Sequence, residues 1–284
     1  MAEPHIGTSH YLATDWAQDL YPLSWAHTMI PRHSAKTIEQ MRPVGSFVGA
    51  TLSELQQHAT PGVTLLELDA LAHQRIREAG AESCYIDYHP SFGASPFGKV
   101  LCTSVNDAAL HGLPYDYTLK DGDLLSLDFA VTLNGWVADS ALTLVVGGNP
   151  TPSDTRLIDT CETALHAGIQ QARAGHRLGD ISHAIGAVSR AAGYVVNTDF
   201  GGHGVGRTMH EDPSIPNDGE AGRGPKLKAG MVFAIEPWLM ETTAEVYTDS
   251  DGWTLKSVDG SRSAHVEHTV VVTEGEPLVL TQRA

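Results

Sequence analysis

Asp128-Phe-Ala-Val-Thr-Leu-Asn-Gly-Trp-Val-Ala-Asp139 sets two carboxylates eleven positions apart within an apolar alternation. Strand periodicity puts Leu125, Leu127 and Phe129 on one face and Ser126, Asp128 and Ala130 on the other. Asn134-Gly135 predicts a hairpin turn, with Ala141–Gly147 as the returning strand. An aspartate in mid-strand has poor β-propensity, and burying it without a partner costs free energy. One such residue is ordinarily a hydrogen-bonded structural group. Two on one hairpin, with further ligand-type residues downstream, point to a metal site.

Two helices precede the hairpin. From Ala35, the residues Ile38, Met41, Val44, Val48, Leu52 and Leu55 recur at helical spacing, although Pro43 and Gly45 weaken the first turns. Pro61-Gly62 ends that helix. The second runs from about Leu65 to Ala79 and stops at Gly80, a C′ glycine. A Gly/Ser/Pro-rich stretch from Ser91 to Gly98 leads to a strand predicted over Val100–Val105. Residues 1–35 lack periodicity but hold Tyr11, Trp16, Tyr21 and Trp25, more aromatics than a disordered tail carries. They are expected to form an N-terminal arm that packs over the main body.

After Pro150 and Pro152 the order repeats, with helices predicted over Ser153–Arg173 and Leu178–Ala192. Sliding the sequence by 113 brings Gly62 onto Gly175, Leu65 onto Leu178 and Ala79-Gly80 onto Ala192-Gly193. Sliding by 108 brings Lys120–Asp128 onto Lys228–Glu236. The chain is therefore expected to be two related α-α-β halves, about 36–148 and 149–280, within one domain at 36–284. A pseudo-twofold axis between them would carry Asp128 and Glu236, on the inner faces of equivalent strands, to one centre.

Composition excludes several classes. Acidic residues outnumber basic ones 34 to 18, and the net charge of −16 disfavours a nucleic-acid binder, which needs clustered Lys and Arg. No apolar run approaches the roughly eighteen residues of a membrane span. Met1-Ala-Glu-Pro-His5 lacks a signal-peptide pattern. Cys84, Cys102 and Cys161 are odd in number and widely spaced, as suits thiols of a reducing compartment. A cytoplasmic monomer is expected, with no specific nucleic acid and no membrane as partners.

The remaining chemistry lies downstream. Gly201-Gly-His203-Gly-Val-Gly206-Arg-Thr-Met-His210-Glu-Asp-Pro213 has four glycines in six residues, which would let backbone approach a ligand closely. A glycine-rich turn with solvated histidines fits the same pattern. A phosphate loop does not, since no Lys-Ser or Lys-Thr follows. Ile235-Glu236-Pro237 closes an apolar strand from Met231. Ser263, His265, Glu267 and Thr269 would share one face of a final strand, with His268 turned the other way and assigned to structure. Asp128, Asp139, His203, Glu236 and Glu267 supply four carboxylates and one imidazole. That set has too few nitrogens and no sulfur for structural zinc. It suits two hard or borderline divalent ions bridged by carboxylates, able to hold an attacking hydroxide and polarise a carbonyl.

Taken in order, His111–Pro114, Lys120–Asp128, Asp139, Gly202–Pro213, Ala234–Pro237 and Ala264–Thr273 closely resemble the type I methionine aminopeptidase family, over about Lys36 to Leu280. The resemblance implies an α+β pita-bread fold, a pseudo-twofold pair of α-β halves around a curved antiparallel sheet. It implies removal of the initiator methionine from nascent chains and peptides when the second residue is small, with transient proximity to the ribosome. The four acids and one histidine above would bind two divalent ions, Mn, Fe(II), Co or Zn. Glu236 matches the general base, which takes the water proton and passes it to the leaving amine. His210 matches a histidine that steadies the tetrahedral oxyanion, and His111 one that contacts the substrate backbone beside the leaving nitrogen.

For the methionine pocket the resemblance implies Trp253 and Cys102, with Phe97 where many relatives have Tyr and Met209 where many have Phe. A further pocket Tyr is expected to be lost near Ala94. His265 stands in place of a Gln, either as a neighbour of the metal ligands or as a core histidine. His58, His73, His89, His166, His176 and His183 have no partner pattern and are left to surfaces and loops. An X-Pro peptidase or creatinase-like hydrolase shares the fold, but such relatives carry a large extra N-terminal domain. A pita-bread module that only binds partners would have lost ligands. The type II branch carries a helical insertion where only thirty residues separate Glu236 from Glu267.

Overall fold

The computed structural model describes residues 29–90, 93 and 95–283. Most of the expected arm, residues 1–28, and Ala94 lie outside the described residues. Among the described residues, four α-helices flank the strands. Helix α1 (Ala35–His58) starts at Ser34, whose hydroxyl accepts the Thr37 amide at 3.1 Å. Helix α2 (Leu65–Ala79) has a capping box between Thr64 and Glu67 and ends at Gly80 in the left-handed conformation. Helices α3 (Pro152–Gln171) and α4 (Leu178–Ala191) repeat this pair. No described helix is long and apolar enough to cross a membrane.

The decisive hairpin consists of Leu124–Leu133 and Trp136–Val145, so the returning strand starts five residues earlier than expected and holds Asp139 within it. Leu133 pairs with Trp136 across Asn134-Gly135, both at positive φ, the conformation of a tight two-residue turn. The β-branched and apolar residues on both sides of the turn extend the ladder right up to it. Asp128 faces Ala141 and Ala130 faces Asp139, which makes the two aspartates diagonal neighbours on one face. Cys102–Val105 pairs along the outer side of the first strand.

Helix α1 buries Met41, Val44, Val48, Leu52 and Leu55 against this hairpin in one core. Helices α3 and α4 bury Leu157, Leu165, Leu178, Ile181 and Ile185 with Phe233 and Ile235 in a second. Each such side chain contributes about 1.5–3 kcal/mol on burial. Pro43 sits within α1, and Gly45 and Gly49 allow the C-terminal segment to cross it. A Cβ on either would lie 2.5 Å from a backbone oxygen, of Leu280 or Gln282.

The two halves share hydrogen bonds as well as sequence. The Gly62 amide donates to Leu119 O at 2.9 Å, and the Gly175 amide to Leu227 O at 3.0 Å. Leu65 donates to Tyr117 O and Leu178 to Pro225 O, at 3.1 and 3.0 Å. The turns before Leu124–Leu133 and Val232–Ile235 match too, with Gly122 and Gly230 at φ 84° and 89°. These are the positions paired by the slides of 113 and 108.

All strand–strand ladders among the described residues are antiparallel, and they fall into four hydrogen-bonded sheets. Two details correct the sequence expectation. Glu236 follows the strand Val232–Ile235 instead of lying in it. Ser263–Thr269 is not one strand. Ser263–His265 pairs with Trp238–Met240, whereas His268–Val271 pairs with Val232–Ile235. The chain changes sheets at Val266-Glu267, so a single alternation cannot describe which way these side chains point.

Candidate functional site

The ligating atoms of Asp139, His203 and Glu267 lie within 4.8 Å of one another, all three residues buried. His203 Nε2 is 3.4 Å from Glu236 Oε1 and 4.0 Å from Asp139 Oδ2. Asp128 joins through Tyr85, whose hydroxyl donates to Asp128 Oδ1 at 2.6 Å and lies 3.3 Å from Asp139 Oδ1. The five residues singled out in the sequence thus converge, although they come from five segments.

Hydroxyl side chains fasten these segments together. Thr143 Oγ1 donates to His265 O at 2.7 Å and accepts the His265 amide at 2.9 Å. Ser140 Oγ donates to Glu267 O at 2.6 Å. The glycines around His203 serve the backbone, not a ligand. A Cβ on Gly202 would sit 2.4 Å from Ala234 O, and one on Gly204 2.2 Å from Asp212 O. Neighbouring strands fill the space that the sequence reading had left for a bound molecule.

The electrostatics call for a cation. Burial pushes the carboxyls of Asp139, Glu236 and Glu267 well up, and their negative neighbours push them further. Asp128 is raised by burial, with the Tyr85 hydroxyl acting in the opposite direction. Glu267 Oε1 is buried with no hydrogen-bond partner. Burial brings His203 down to about 4, so the ring is neutral. Its Nδ1 faces Gly204 O at 2.9 Å. The proton therefore belongs on Nδ1, and Nε2 keeps a lone pair aimed at the acids. Oxygen and imidazole donors in this number fit divalent metal ions.

Around the acids stand three more histidines. The His210 ring meets His203 edge-on at 4.5 Å, and its Nδ1 is 3.2 Å from the Tyr88 hydroxyl. Burial lowers His210 well below the usual histidine range and brings His111 to about 4. His111 has a positive φ of 55° and packs edge-on to Phe200. His265 Nε2 lies 3.4 Å from Glu236 Oε2, so of the two roles left open it is a neighbour of the acids. His268 bonds Thr281 Oγ1 at 2.9 Å.

Beside Asp128 is an aromatic enclosure. Phe97 meets Trp253 edge-on at 5.1 Å, and Tyr88 lies 6.3 Å from Trp253. Cys102 is the strand partner of Asp128, and Met209 is buried in the same core. Tyr85 and Tyr88 were missed in the sequence. Tyr88 provides a tyrosine in this enclosure, six positions from Ala94, where one was expected to be lost. Both lie in Cys84-Tyr-Ile-Asp-Tyr88, which has no periodicity to mark it. The only available signal was the pair of tyrosines just ahead of the Gly/Ser/Pro-rich stretch.

The model of Metallopeptidase family M24 matches residues 39–274. A methionine aminopeptidase of Clostridium perfringens is 44% identical over 254 residues, 89% of this chain and 99% of that one. The crystal structure of methionine aminopeptidase from Thermotoga maritima superposes with a TM-score of 0.84 at 35% identity, covering 90% of this chain and 100% of that chain. The Xaa-Pro dipeptidase from Bacillus anthracis shares the fold, with a TM-score of 0.70 at 20% identity. It is covered over 62% of its length by 89% of this chain.

Proposed function

This chain belongs to metallopeptidase family M24, and on that premise we propose how its residues carry out the metal-dependent removal of N-terminal methionine from proteins and peptides. The fold is the pita-bread fold, and the protein is a methionyl aminopeptidase. The observation that carries the assignment of residues is the convergence of Asp139, His203 and Glu267 within 4.8 Å.

Asp128, Asp139, His203, Glu236 and Glu267 would hold two divalent ions, of Mn, Fe(II), Co or Zn. Such ions, when bound, lower the pKa of water and polarise a carbonyl. Glu236 takes the proton of the attacking water and delivers it to the leaving amine nitrogen. His210, with Nδ1 facing the Tyr88 hydroxyl at 3.2 Å, presents Nε2–H to the oxyanion of the tetrahedral intermediate. His111 contacts the substrate backbone beside the leaving nitrogen. Phe97, Cys102, Met209 and Trp253, joined by Tyr88, enclose the methionine side chain. Their apolar surfaces take the thioether and exclude water from the scissile bond.

We take residues 36–284 as one catalytic domain and 1–35 as an arm. The substrates are nascent chains near the ribosome whose second residue is small, and the enzyme works as a cytoplasmic monomer. Three free cysteines support a reducing compartment.

Methionine release from Met-Ala-Ser and Met-Lys-Ser, beside cleavage of Ala-Pro-Ala, tests the specificity after chelation and return of Mn or Co. Release from Met-Ala-Ser alone, restored by metal and lost in Glu236→Ala, is the expected result. Turnover of Ala-Pro-Ala in place of the methionyl peptides would reassign the substrate.

A further inference from the structure

Tyr85 touches two of the proposed ligands and has no part in the chemistry above. Its segment lies along the edge of the decisive hairpin. Glu82-Ser83 pairs with Val131-Thr132, and the Cys84 amide donates to Ala130 O at 3.2 Å. The Tyr85 amide donates to Ser83 Oγ at 3.1 Å, and the ring meets Phe97 edge-on at 5.8 Å. The side chain is thereby fixed from both ends, and the hydroxyl has one proton to give. It goes to Asp128 Oδ1 at 2.6 Å, with Asp139 Oδ1 at 3.3 Å on the other side.

Both contacts use Oδ1. For Asp139 this leaves Oδ2, the oxygen 4.0 Å from His203 Nε2, turned toward the remaining ligands. A buried hydroxyl costs free energy unless it is bonded, and phenylalanine would fill the same ring volume without that cost. The hydroxyl is useful where it holds the two carboxylates in the orientation a metal ion needs.

Resting on the two-ion reading above, we propose that Tyr85 is a positioning residue that clasps Asp128 to Asp139 and sets the affinity of the ion these two aspartates hold. The second ion, held through His203 and Glu267, meets Asp139 through Oδ2, the oxygen Tyr85 does not touch, and should depend on Tyr85 much less. Removing an outer hydrogen-bond partner of a ligand typically lowers metal affinity by about 10–100-fold.

The test is calorimetric titration of chelated protein with Mn2+, for wild type, Tyr85→Phe and His203→Ala. Thermal unfolding of the metal-free proteins is followed in parallel. In Tyr85→Phe one binding event should weaken about 10–100-fold, while the other stays within about threefold. His203→Ala should weaken the other event. Two unchanged events in Tyr85→Phe would overturn the proposal alone. So would equal weakening of both with a lowered melting point of the metal-free protein, the mark of a merely structural residue. A wild-type protein that takes up fewer than two ions would overturn the two-ion reading, and this inference with it.

Discussion

Thr269 accepts the backbone amide of Asp139 at 3.0 Å and donates its hydroxyl proton back to the Asp139 carbonyl at 2.8 Å. A residue of the second half thus completes the backbone hydrogen bonding of a proposed ligand in the first. Thr269→Val keeps the shape but leaves a buried donor and a buried acceptor unpaired. At about 1–3 kcal/mol for each unsatisfied group, urea unfolding of the metal-free protein should show a loss of about 3 kcal/mol. A loss below about 1 kcal/mol would mean that the two halves are held together elsewhere.

Glu236, proposed as both ligand and base, allows proton transfer to be tested apart from metal binding. Glu236→Gln keeps a ligand oxygen and the shape but removes the base. The turnover number for Met-Ala-Ser under saturating Mn2+ should fall by about 10²–10⁴-fold, while KM changes little. A variant that keeps its turnover number and binds peptide poorly would show that Glu236 acts in binding instead.

Tyr88 links the aromatic enclosure to His210, the histidine proposed to meet the oxyanion. Its ring lies 5.5 Å from His210 and its hydroxyl 3.2 Å from Nδ1. In Tyr88→Phe the aromatic wall survives and the tautomer constraint is lost. The turnover number should drop about tenfold with KM near wild type, against about 10²–10³-fold for His210→Ala. Equal turnover in Tyr88→Phe and wild type would leave the tyrosine a packing role only.

The fold was legible because a duplicated sequence repeats its turns. Gly62 with Gly175, and Gly122 with Gly230, mark the same left-handed positions in both halves. Asp128 and Asp139 stood out because carboxylates in apolar strands are costly without a purpose, whereas His203, Glu236 and Glu267 stood out through the motifs around them. What escaped the sequence depends on contacts made across the chain. Nothing near Tyr85 announces that its hydroxyl reaches Asp128, 43 positions away. The break at Val266-Glu267 is set by two competing sheets, not by local propensity. Gly45 looked like a weak point in a helix until the C-terminal segment was found lying across it. The glycines beside His203 invite a ligand on paper, whereas neighbouring strands take the space.

Removal of the metal should destabilise the protein in a pH-dependent way, and the sign follows from the acids. A carboxyl whose folded pKa is raised, as in Asp139, Glu236 and Glu267, favours folding below its unfolded pKa. That contribution is lost as pH rises through the folded value, because ionised acids then crowd one another. Bound divalent ions reverse this penalty, since they favour the ionised acids. His203, lowered to about 4, is already neutral above about pH 5, so the pH dependence of metal uptake over that range comes from the acids. The gap in melting temperature between Mn2+-loaded and chelated protein should therefore widen from about pH 5 to about pH 7.5. Scanning calorimetry at several pH values measures it directly. A gap that is constant or narrows over that range would show that these acids are not the groups which protons and metal compete for.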